Sequence, residues 1–307
     1  TTILYGTTWD DSTLLEETKQ ANLESEKKDG VKRHFRYDWQ EVGRYNPDYL
    51  SFVQSERQRL GEEHPLFRTQ YALLPVTRGG SFLSRQQIAL MLGEHDRQLR
   101  PDGKMTYIAG IDLAGEYESE MTGWAACGNG RSRECDSTVI TIAEVDAANP
   151  SQPVLKVVEQ YRWTGTPHSQ LYTQMRHILR DVWNCHRIAV DATGIGQPVA
   201  SFLKKELGSR VMPFVITSKS KSDMGFELLS FVNSGRLKLY KQDGSSEYQG
   251  TLFELEKARA QYRPNQTMNF YVDRREGHDD FLVSLALVAQ AVRGFSSREA
   301  RGRLRES

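Results

Sequence analysis

Short apolar runs separated by turn residues recur along the chain, and many of them predict β-strands. Alternating or continuous apolar residues bounded by Gly, Pro, Asn or Asp are typical of strands. The predicted strands are residues 2–7, 105–115, 122–128, 137–146, 154–163, 187–193, 211–217 and 267–273. Several strands in succession, followed by strands that alternate with helices, indicate a mixed sheet covered by helices.

Apolar residues at intervals of three and four predict helices around these strands. The predicted helices are residues 16–30, 50–61, 168–183, 222–235 and 279–292. The first of these is highly charged and fits a solvated helix, whereas the last offers little polar surface to water. Residues 73–84 fit an extended connector, and the polar stretch 95–104 predicts a domain boundary.

Composition narrows the class of protein without identifying a partner. The 307 residues include 40 Lys plus Arg and 40 Asp plus Glu, so a nucleic-acid site must be a local basic patch. Cys127, Cys135 and Cys185 form no CxxC pair, and the start is not signal-like, so we expect a reducing cytosol. No apolar run approaches the roughly 18 residues that a membrane span needs.

Aspartates stand at three places where a carboxylate is costly. Asp112 shares a predicted strand face with the small residue Gly110, and Asp191 closes an apolar run. Asp279 and Asp280 open the nearly all-apolar helix. A carboxylate in or beside a core must be neutralised, paired or bound to a metal.

Each aspartate also fits a simpler role. Asp112 fits a turn former at a strand end, Asp191 fits a cap of the following turn, and Asp279 or Asp280 fits a helix N-cap. The set as a whole can converge at one end of a sheet, with Glu120 as a candidate fourth carboxylate. Such hard oxygen ligands suit Mg²⁺ or Mn²⁺, and two ions about 3.5–4 Å apart can support phosphodiester cleavage.

The turn after Asp191 does not fit a nucleotide-binding motif. Gly194 and Gly196 supply GxG after a strand, but Val199 stands where the dinucleotide fingerprint needs Gly. The phosphate-binding pattern GxxxxGK[ST] is absent from the 307 residues. These glycines are therefore predicted to allow a tight exit of the chain beside a metal-binding Asp191.

The motifs "GIDLAG", "VDATGIG" and "GHDDFLVSLAL", in that order, resemble the nuclease domain of bacteriophage terminase large subunits. That domain belongs to the ribonuclease H-like superfamily, and the resemblance covers about residues 105–292. "ILYGTTWDDSTLLEE" and "FRTQYALLPVTRGGSFLS" resemble the motor's coupling motif and the segment joining motor to nuclease. The motor's phosphate-binding loop is expected upstream of Thr1.

The resemblance implies an α/β fold, a ribonuclease H-like mixed sheet flanked by helices, preceded by a partial P-loop ATPase remnant. It implies three parts: a motor remnant with linker (1–95), the nuclease domain (96–295) and a basic, flexible tail (296–307).

The same resemblance implies an endonuclease that cuts concatemeric viral DNA during packaging, by two-metal hydrolysis with Mg²⁺ or Mn²⁺. Asp112, Asp191 and Asp280 are the implied catalytic residues, and they bind the metals with Asp279 beside them. Double-stranded DNA, the portal protein and the small terminase subunit are the implied partners. The implied location is the cytoplasm of the infected host, at the procapsid portal.

Basic residues are expected to contact DNA phosphates, although runs of charge also fit a solvated face. The candidates are Lys204, Lys205, Lys219, Lys221, Arg274 and Arg275. Two other functions remain open. One is another ribonuclease H-like enzyme, such as a resolvase or transposase, and the other is a non-catalytic DNA-translocation or portal-docking module.

We expect that the purified chain of 307 residues does not hydrolyse ATP, because it lacks the backbone cradle that holds the β- and γ-phosphates. Phosphate release from ATP, measured with and without DNA, checks this expectation. Turnover above that of a mock purification would contradict it.

Overall fold

The computed structural model describes residues 3–7, 14–60, 62, 67–74, 79–114, 137–149, 152–166, 168–194, 196–263 and 267–293. The α-helices are α1 (Leu14–Asp29), α2 (Trp39–Gly43), α3 (Pro47–Leu60), α4 (Arg85–Met91), α5 (His168–Arg176), α6 (Gly196–Leu207), α7 (Ser218–Asn233), α8 (Ser246–Lys257) and α9 (Asp280–Ala291). The strands are β1 (Gly79–Ser81), β2 (Thr106–Asp112), β3 (Ser137–Asp146), β4 (Val154–Thr164), β5 (Arg187–Asp191), β6 (Val211–Phe214), β7 (Leu237–Lys238), β8 (Arg259–Tyr262) and β9 (Met268–Tyr271). Helical turns of other kinds are Phe67–Tyr71, His177–Val182 and Gly208–Arg210.

Contacts between Cα atoms divide the chain into two compact units. The first comprises Thr1–Ile88, Thr217–Ser234 and Glu254–His278, and the second comprises Ala89–Ile216, Gly235–Phe253 and Asp279–Ser307. Both units are discontinuous in sequence. The division into a motor remnant, a nuclease domain and a tail stays a prediction.

The second unit is built on a six-stranded mixed sheet with the strand order β6-β5-β2-β3-β4-β7. Strands β2, β3 and β4 pair antiparallel in sequence order, whereas β5 pairs parallel with β2, and β6 pairs parallel with β5. Parallel neighbours need crossover connections, which α5 and α6 provide before β5 and β6. The predicted mixed sheet flanked by helices is therefore confirmed.

Apolar side chains cover both faces of this sheet. On one face, Ile111 and Val190 join a buried cluster with Leu171 and Met175 of α5 and Leu203 of α6. Helix α9 packs against β2, β3 and β5, and all of its residues are buried. This burial on every side explains why the sequence of α9 is apolar around its whole circumference.

Helix α9 lies very close to the backbone of β2 at Gly110. A Cβ atom there would lie 2.2 Å from the carbonyl oxygen of Ser284 and 2.6 Å from the nitrogen of Val288. Both of those atoms belong to the backbone, which cannot turn aside as a flexible side chain can. Only glycine therefore permits this distance between helix and strand.

A chain of hydrogen bonds between buried side chains crosses the sheet beneath α9. The Thr251 hydroxyl donates to Gln160 Oε1 (2.9 Å), and Gln160 Nε2 donates to Thr141 Oγ1 (3.1 Å). Thr141 Oγ1 and Ser284 Oγ are 2.7 Å apart, and the Ser284 hydroxyl donates to the Phe281 carbonyl (2.9 Å). A buried network with satisfied partners holds its elements in one arrangement.

The first unit contains a three-stranded antiparallel sheet with the order β1-β8-β9. Helix α7 packs against β9, where a Cβ on Gly225 would lie 2.4 Å from the Met268 side chain. Trp39, Val53 and Phe67 form a separate small core in the same unit.

Some sequence predictions of local structure were wrong, and others lie outside the described residues. Residues 3–7, predicted as part of a strand, have no regular secondary structure; Ile3 and Tyr5 are exposed. Helix α8 and strand β8 were not predicted, since their sequences are largely polar. The predicted strand 122–128 lies outside the described residues.

The expectations about cysteines and about a membrane span can be compared with the described residues. Cys185 is a free, buried thiol, and its burial raises its pKa to about 12. Within the described ranges, no helix combines the length and the apolar character needed to cross a membrane.

We expect Gly110→Ala to lower the free energy of unfolding by about 1–3 kcal/mol, because the added methyl group forces α9 away from β2. Denaturant unfolding measures the change. Gly103→Ala is the matched control, since a Cβ at Gly103 meets nothing within 4 Å. Equal stabilities of the two variants would contradict the proposed close contact.

Candidate functional site

Two of the predicted carboxylates end neighbouring parallel strands. Ile111 of β2 pairs with Val190 of β5, and the next residue in each strand is Asp112 and Asp191. Neighbouring strands lie about 4.8 Å apart, so the two aspartates are adjacent at one edge of the sheet. Both side chains are half-buried.

The third carboxylate reaches the same edge from α9. Asp280 is 8% exposed, and its Oδ2 accepts a 2.8 Å hydrogen bond from the backbone N–H of Ser137. Ser137 begins β3 two residues before Val139, which is the register partner of Asp112. The edge therefore brings Asp112, Asp191 and Asp280 into one region of the second unit.

The contact at Gly110 explains why Asp280 lies there. Asp280 is one helical turn before Ser284, whose carbonyl lies over Gly110, and Asp112 is two residues beyond Gly110. Four helical residues and two strand residues each advance about 6 Å. Helix and strand therefore arrive at the edge together.

A tight turn holds the chain as it leaves Asp191. The carboxylate Oδ1 accepts a 2.8 Å hydrogen bond from the Thr193 N–H, and Gly194 adopts a positive φ of 54°. A Cβ on Gly196 would lie 2.5 Å from the Asp191 carbonyl oxygen. The geometry confirms the predicted tight exit. A carboxylate has two oxygens, so this turn contact is compatible with a ligand role.

Hydroxyl groups hold the neighbouring chain exits in place. Thr138 Oγ1, fully buried in β3, accepts a hydrogen bond from the Ala114 N–H (3.1 Å), two residues after Asp112. Thr193 Oγ1 accepts one from the Ile216 N–H (2.8 Å), just beyond β6.

The two adjacent acidic residues at the start of α9 differ in position. Asp279 occupies the N-cap position, and its backbone carbonyl accepts from the Val283 N–H (2.8 Å). Its side chain makes no capping hydrogen bond. The simpler N-cap role therefore describes the backbone of Asp279 and not its carboxylate, while Asp280 is the residue bonded to the sheet.

The donor types at this edge suit a hard divalent cation, which prefers carboxylate oxygens. Within the described residues, no three Asp, Glu, His or Cys side chains come close enough together to hold a metal ion. Glu120 belongs to residues 115–136, which lie outside the described part of the chain. The ligand set therefore stays a prediction, with Asp112 and Asp191 as its adjacent pair.

The predicted DNA-binding residues lie in both units. Lys204 and Lys205 are exposed in the last turn of α6, eight or more residues after Gly196 at the carboxylate edge. Eight residues of helix span about 12 Å, so these lysines lie toward the opposite edge of the sheet. Arg274 and Arg275 are exposed in the first unit, a few residues before Asp279 in sequence.

The other two predicted basic residues have partners within the first unit. Lys219 Nζ lies 2.9 Å from Asp223 Oδ2, and Lys221 Nζ lies 5.0 Å from the centre of the Phe270 ring. A contact with DNA would have to compete with these interactions. All six DNA-binding assignments stay predictions.

Sequence reasoning missed the polar residues that position the acidic ones. Ser137, Thr138 and Ser284 are buried hydroxyl residues in apolar elements, which carry no local signal of function. Trp163 is half-buried in β4, whereas Trp183 is 1% exposed and donates from Nε1 to the Tyr161 hydroxyl (2.9 Å).

Solved structures show the fold of this chain in other proteins. The large terminase nuclease from thermophilic phage G20c is 16% identical, with a TM-score of 0.50 over 68% of this chain and 97% of that one. The same nuclease with bound magnesium and with bound cobalt is 17% identical, with a TM-score of 0.50, and covers 68% of this chain and 96% of that one. At these identities the likeness establishes a shared fold alone.

A comparison with curated proteins gives no match. The family described as the terminase RNaseH-like domain matches residues 127–289, which is more than half of the chain. The match includes Asp191, Asp279 and Asp280 and agrees with the resemblance inferred from the motifs. The chain therefore belongs to the terminase family whose members carry a ribonuclease H-like domain.

Proposed function

We propose that the chain is a metal-dependent endonuclease that cuts double-stranded DNA for a phage packaging terminase. The observation that carries the proposal is the position of Asp112, Asp191 and Asp280 at one edge of a ribonuclease H-like sheet. Asp112 and Asp191 end neighbouring strands, and adjacent carboxylates repel one another without a cation between them, so this edge favours metal binding.

The solved nucleases of similar fold support a divalent ion. The G20c nuclease has been solved with bound magnesium and with bound cobalt. Both of these ions prefer sites with several oxygen or nitrogen ligands. We propose Mg²⁺ or Mn²⁺ as the ion of this chain, bound by Asp112, Asp191 and Asp280. Asp279 and Glu120 complete the proposed ligand set.

Divalent ions bound there would supply an activated water and stabilise the departing 3′ oxygen. The residues themselves provide orientation. The Ser137 N–H directs one oxygen of Asp280, and the Thr193 N–H directs one oxygen of Asp191. Contacts that orient ligands in this way restrict the geometry in which a metal can bind.

We propose the substrate and the partners by analogy with the terminase family. The DNA would be the concatemeric viral genome, cut at the procapsid portal in the cytoplasm of the infected host. The portal protein and the small terminase subunit are the proposed protein partners. Base sequence would matter little, because phosphate contacts carry no sequence information directly.

Membership of the terminase family disfavours a resolvase or transposase. In the non-catalytic alternative, a DNA-translocation or portal-docking module, the same carboxylates would have only a structural role. If the carboxylates were only structural, changing one to its amide would leave any DNA cutting intact.

We expect Asp112→Asn, Asp191→Asn or Asp280→Asn to lower DNA cleavage by at least about 100-fold. In metal sites, even mutation of a residue that only hydrogen-bonds to a ligand lowers metal affinity or activity by up to about 100-fold. Asn keeps the side-chain volume and removes the charge. Plasmid cleavage in Mg²⁺ or Mn²⁺ measures activity. Thermal melts with and without metal measure binding, since a bound ion stabilises the folded state.

Two controls accompany these variants. Asp146→Asn removes a carboxylate from the other end of β3, and we expect wild-type cleavage. Asp279→Asn should lose less activity than Asp280→Asn, because Asp280 is the residue bonded to the sheet. Full cleavage by Asp112→Asn or Asp191→Asn, or equal cleavage in excess chelator, would rule out the proposed metal chemistry.

DNA binding should weaken as salt rises, because each phosphate contact releases counterions. We expect replacement of Arg274 and Arg275 by Ala to reduce the slope of log K against log salt by up to about 1.8, at roughly 0.9 per contact. Replacement of Lys204 and Lys205 by Ala should reduce the slope by less than the roughly 1.8 that two contacts would give, at roughly 0.9 per contact, because these lysines lie about 12 Å along α6 from the carboxylate edge. An unchanged slope in both double variants would remove all four residues from the DNA-binding surface.

A further inference from the structure

Arg162 of β4 lies in the same row of the sheet as Asp112. Val139 of β3 is opposite Asp112 on one side and opposite Arg162 on the other. Residues opposite each other in antiparallel strands project from the same face. Two strand spacings of about 4.8 Å separate the arginine from the aspartate in this row.

The face they share is the one covered by α9. Gly110, two residues before Asp112, contacts the α9 backbone. The guanidinium carbon of Arg162 lies 5.8 Å from the centre of the Phe281 ring. Phe281 directly follows Asp280, so the arginine stands beside the start of the helix that carries the third carboxylate.

The ring beneath Arg162 is rigidly held. Phe281 is 1% exposed, and a Cβ on Gly250 of α8 would lie 2.8 Å from its ring. Its carbonyl also accepts the hydrogen bond from Ser284 that ends the buried network. A cation stacked on a fixed aromatic ring loses little further freedom when it binds an anion.

The guanidinium is available to an external anion. Arg162 is exposed, and among the described residues no ion pair involves it. Arg97 of the same unit contrasts with it, since its guanidinium lies 2.5 Å from the buried Glu159. The cation of Arg97 is therefore used within the fold, whereas that of Arg162 faces solvent near the acidic edge.

We propose that Arg162 binds a backbone phosphate of the DNA strand that is cut, beside the carboxylate edge. This assignment rests on the proposed nuclease function. Carboxylates repel an approaching phosphate, and a fixed cation on the same face offsets that repulsion. The planar guanidinium can donate two parallel hydrogen bonds to phosphate oxygens, which sets the orientation of the strand.

The alternative is that Arg162 only covers the edge of Phe281. Two substitutions separate the roles. Arg162→Gln keeps a polar side chain of moderate length and removes the charge, whereas Arg162→Lys keeps the charge and loses the planar fork. Lys156→Gln is the matched control, since it removes one positive charge from the same strand near Asp146, at the opposite edge of the sheet.

The experiment measures duplex binding in excess chelator over a range of salt, and cleavage kinetics in Mn²⁺ with the same proteins. For Arg162→Gln we expect a salt slope smaller by about 0.9, and a KM for DNA raised about tenfold. Arg162→Lys should retain the wild-type slope. Lys156→Gln should retain both slope and KM, and thermal melts check that every variant is folded.

The outcomes distinguish this assignment from the function on which it rests. If the wild type cuts DNA and Arg162→Gln retains its slope and KM, the assignment is wrong and the nuclease proposal stands. If the wild type binds DNA without cutting it in any divalent metal, and Arg162→Gln still loses slope, the nuclease proposal is wrong and only the phosphate contact of Arg162 stands. A lower melting temperature with an unchanged slope shows a packing role and also overturns the assignment. Failure of the wild type to bind DNA overturns both.

Discussion

The contact between α9 and β2 at Gly110 is the constraint on which the rest of the site depends. Without a Cβ at that position, the helix backbone reaches the strand backbone, and the first residue of the helix reaches the end of the strand. Asp280 then bonds to the start of β3, next to the row that contains Asp112. Any larger residue at 110 would separate two elements that are far apart in sequence, since β2 ends at Asp112 and α9 begins at Asp280.

Local patterns were enough to single out the acidic residues of the candidate site. The glycine and aspartate of β2, the turn after Asp191 and the acidic start of α9 are each visible within a few residues, because period and turn chemistry act over short distances. The mixed sheet flanked by helices also followed from the succession of elements. The mistaken strand at 3–7 had the right composition but no partner in the described structure.

Relationships between distant segments could not be predicted. Arg162 joins the row of Asp112 through two pairings, and a β-bulge between Ile142 and Ala143 shifts the register of β3 with β4. A shift by one residue exchanges the faces of a strand, so the face on which Arg162 lies follows only from the folded structure. The roles of buried hydroxyls such as that of Thr138 could not be predicted from the sequence either. They depend on hydrogen bonds with the backbone of other segments, such as the Ala114 N–H.

The hydroxyl pair of Thr141 and Ser284 has a consequence for the choice between alternative packings. A helix as uniformly apolar as α9 could slide along the sheet by one turn and still bury similar area, since Leu, Val and Ala recur along it. Such a slide would move Asp280 about 5.4 Å from its place and leave two polar groups buried without each other. The buried hydrogen bond between Thr141 and Ser284 thus favours one packing over others that bury similar area. In that packing Asp280 lies at the sheet edge.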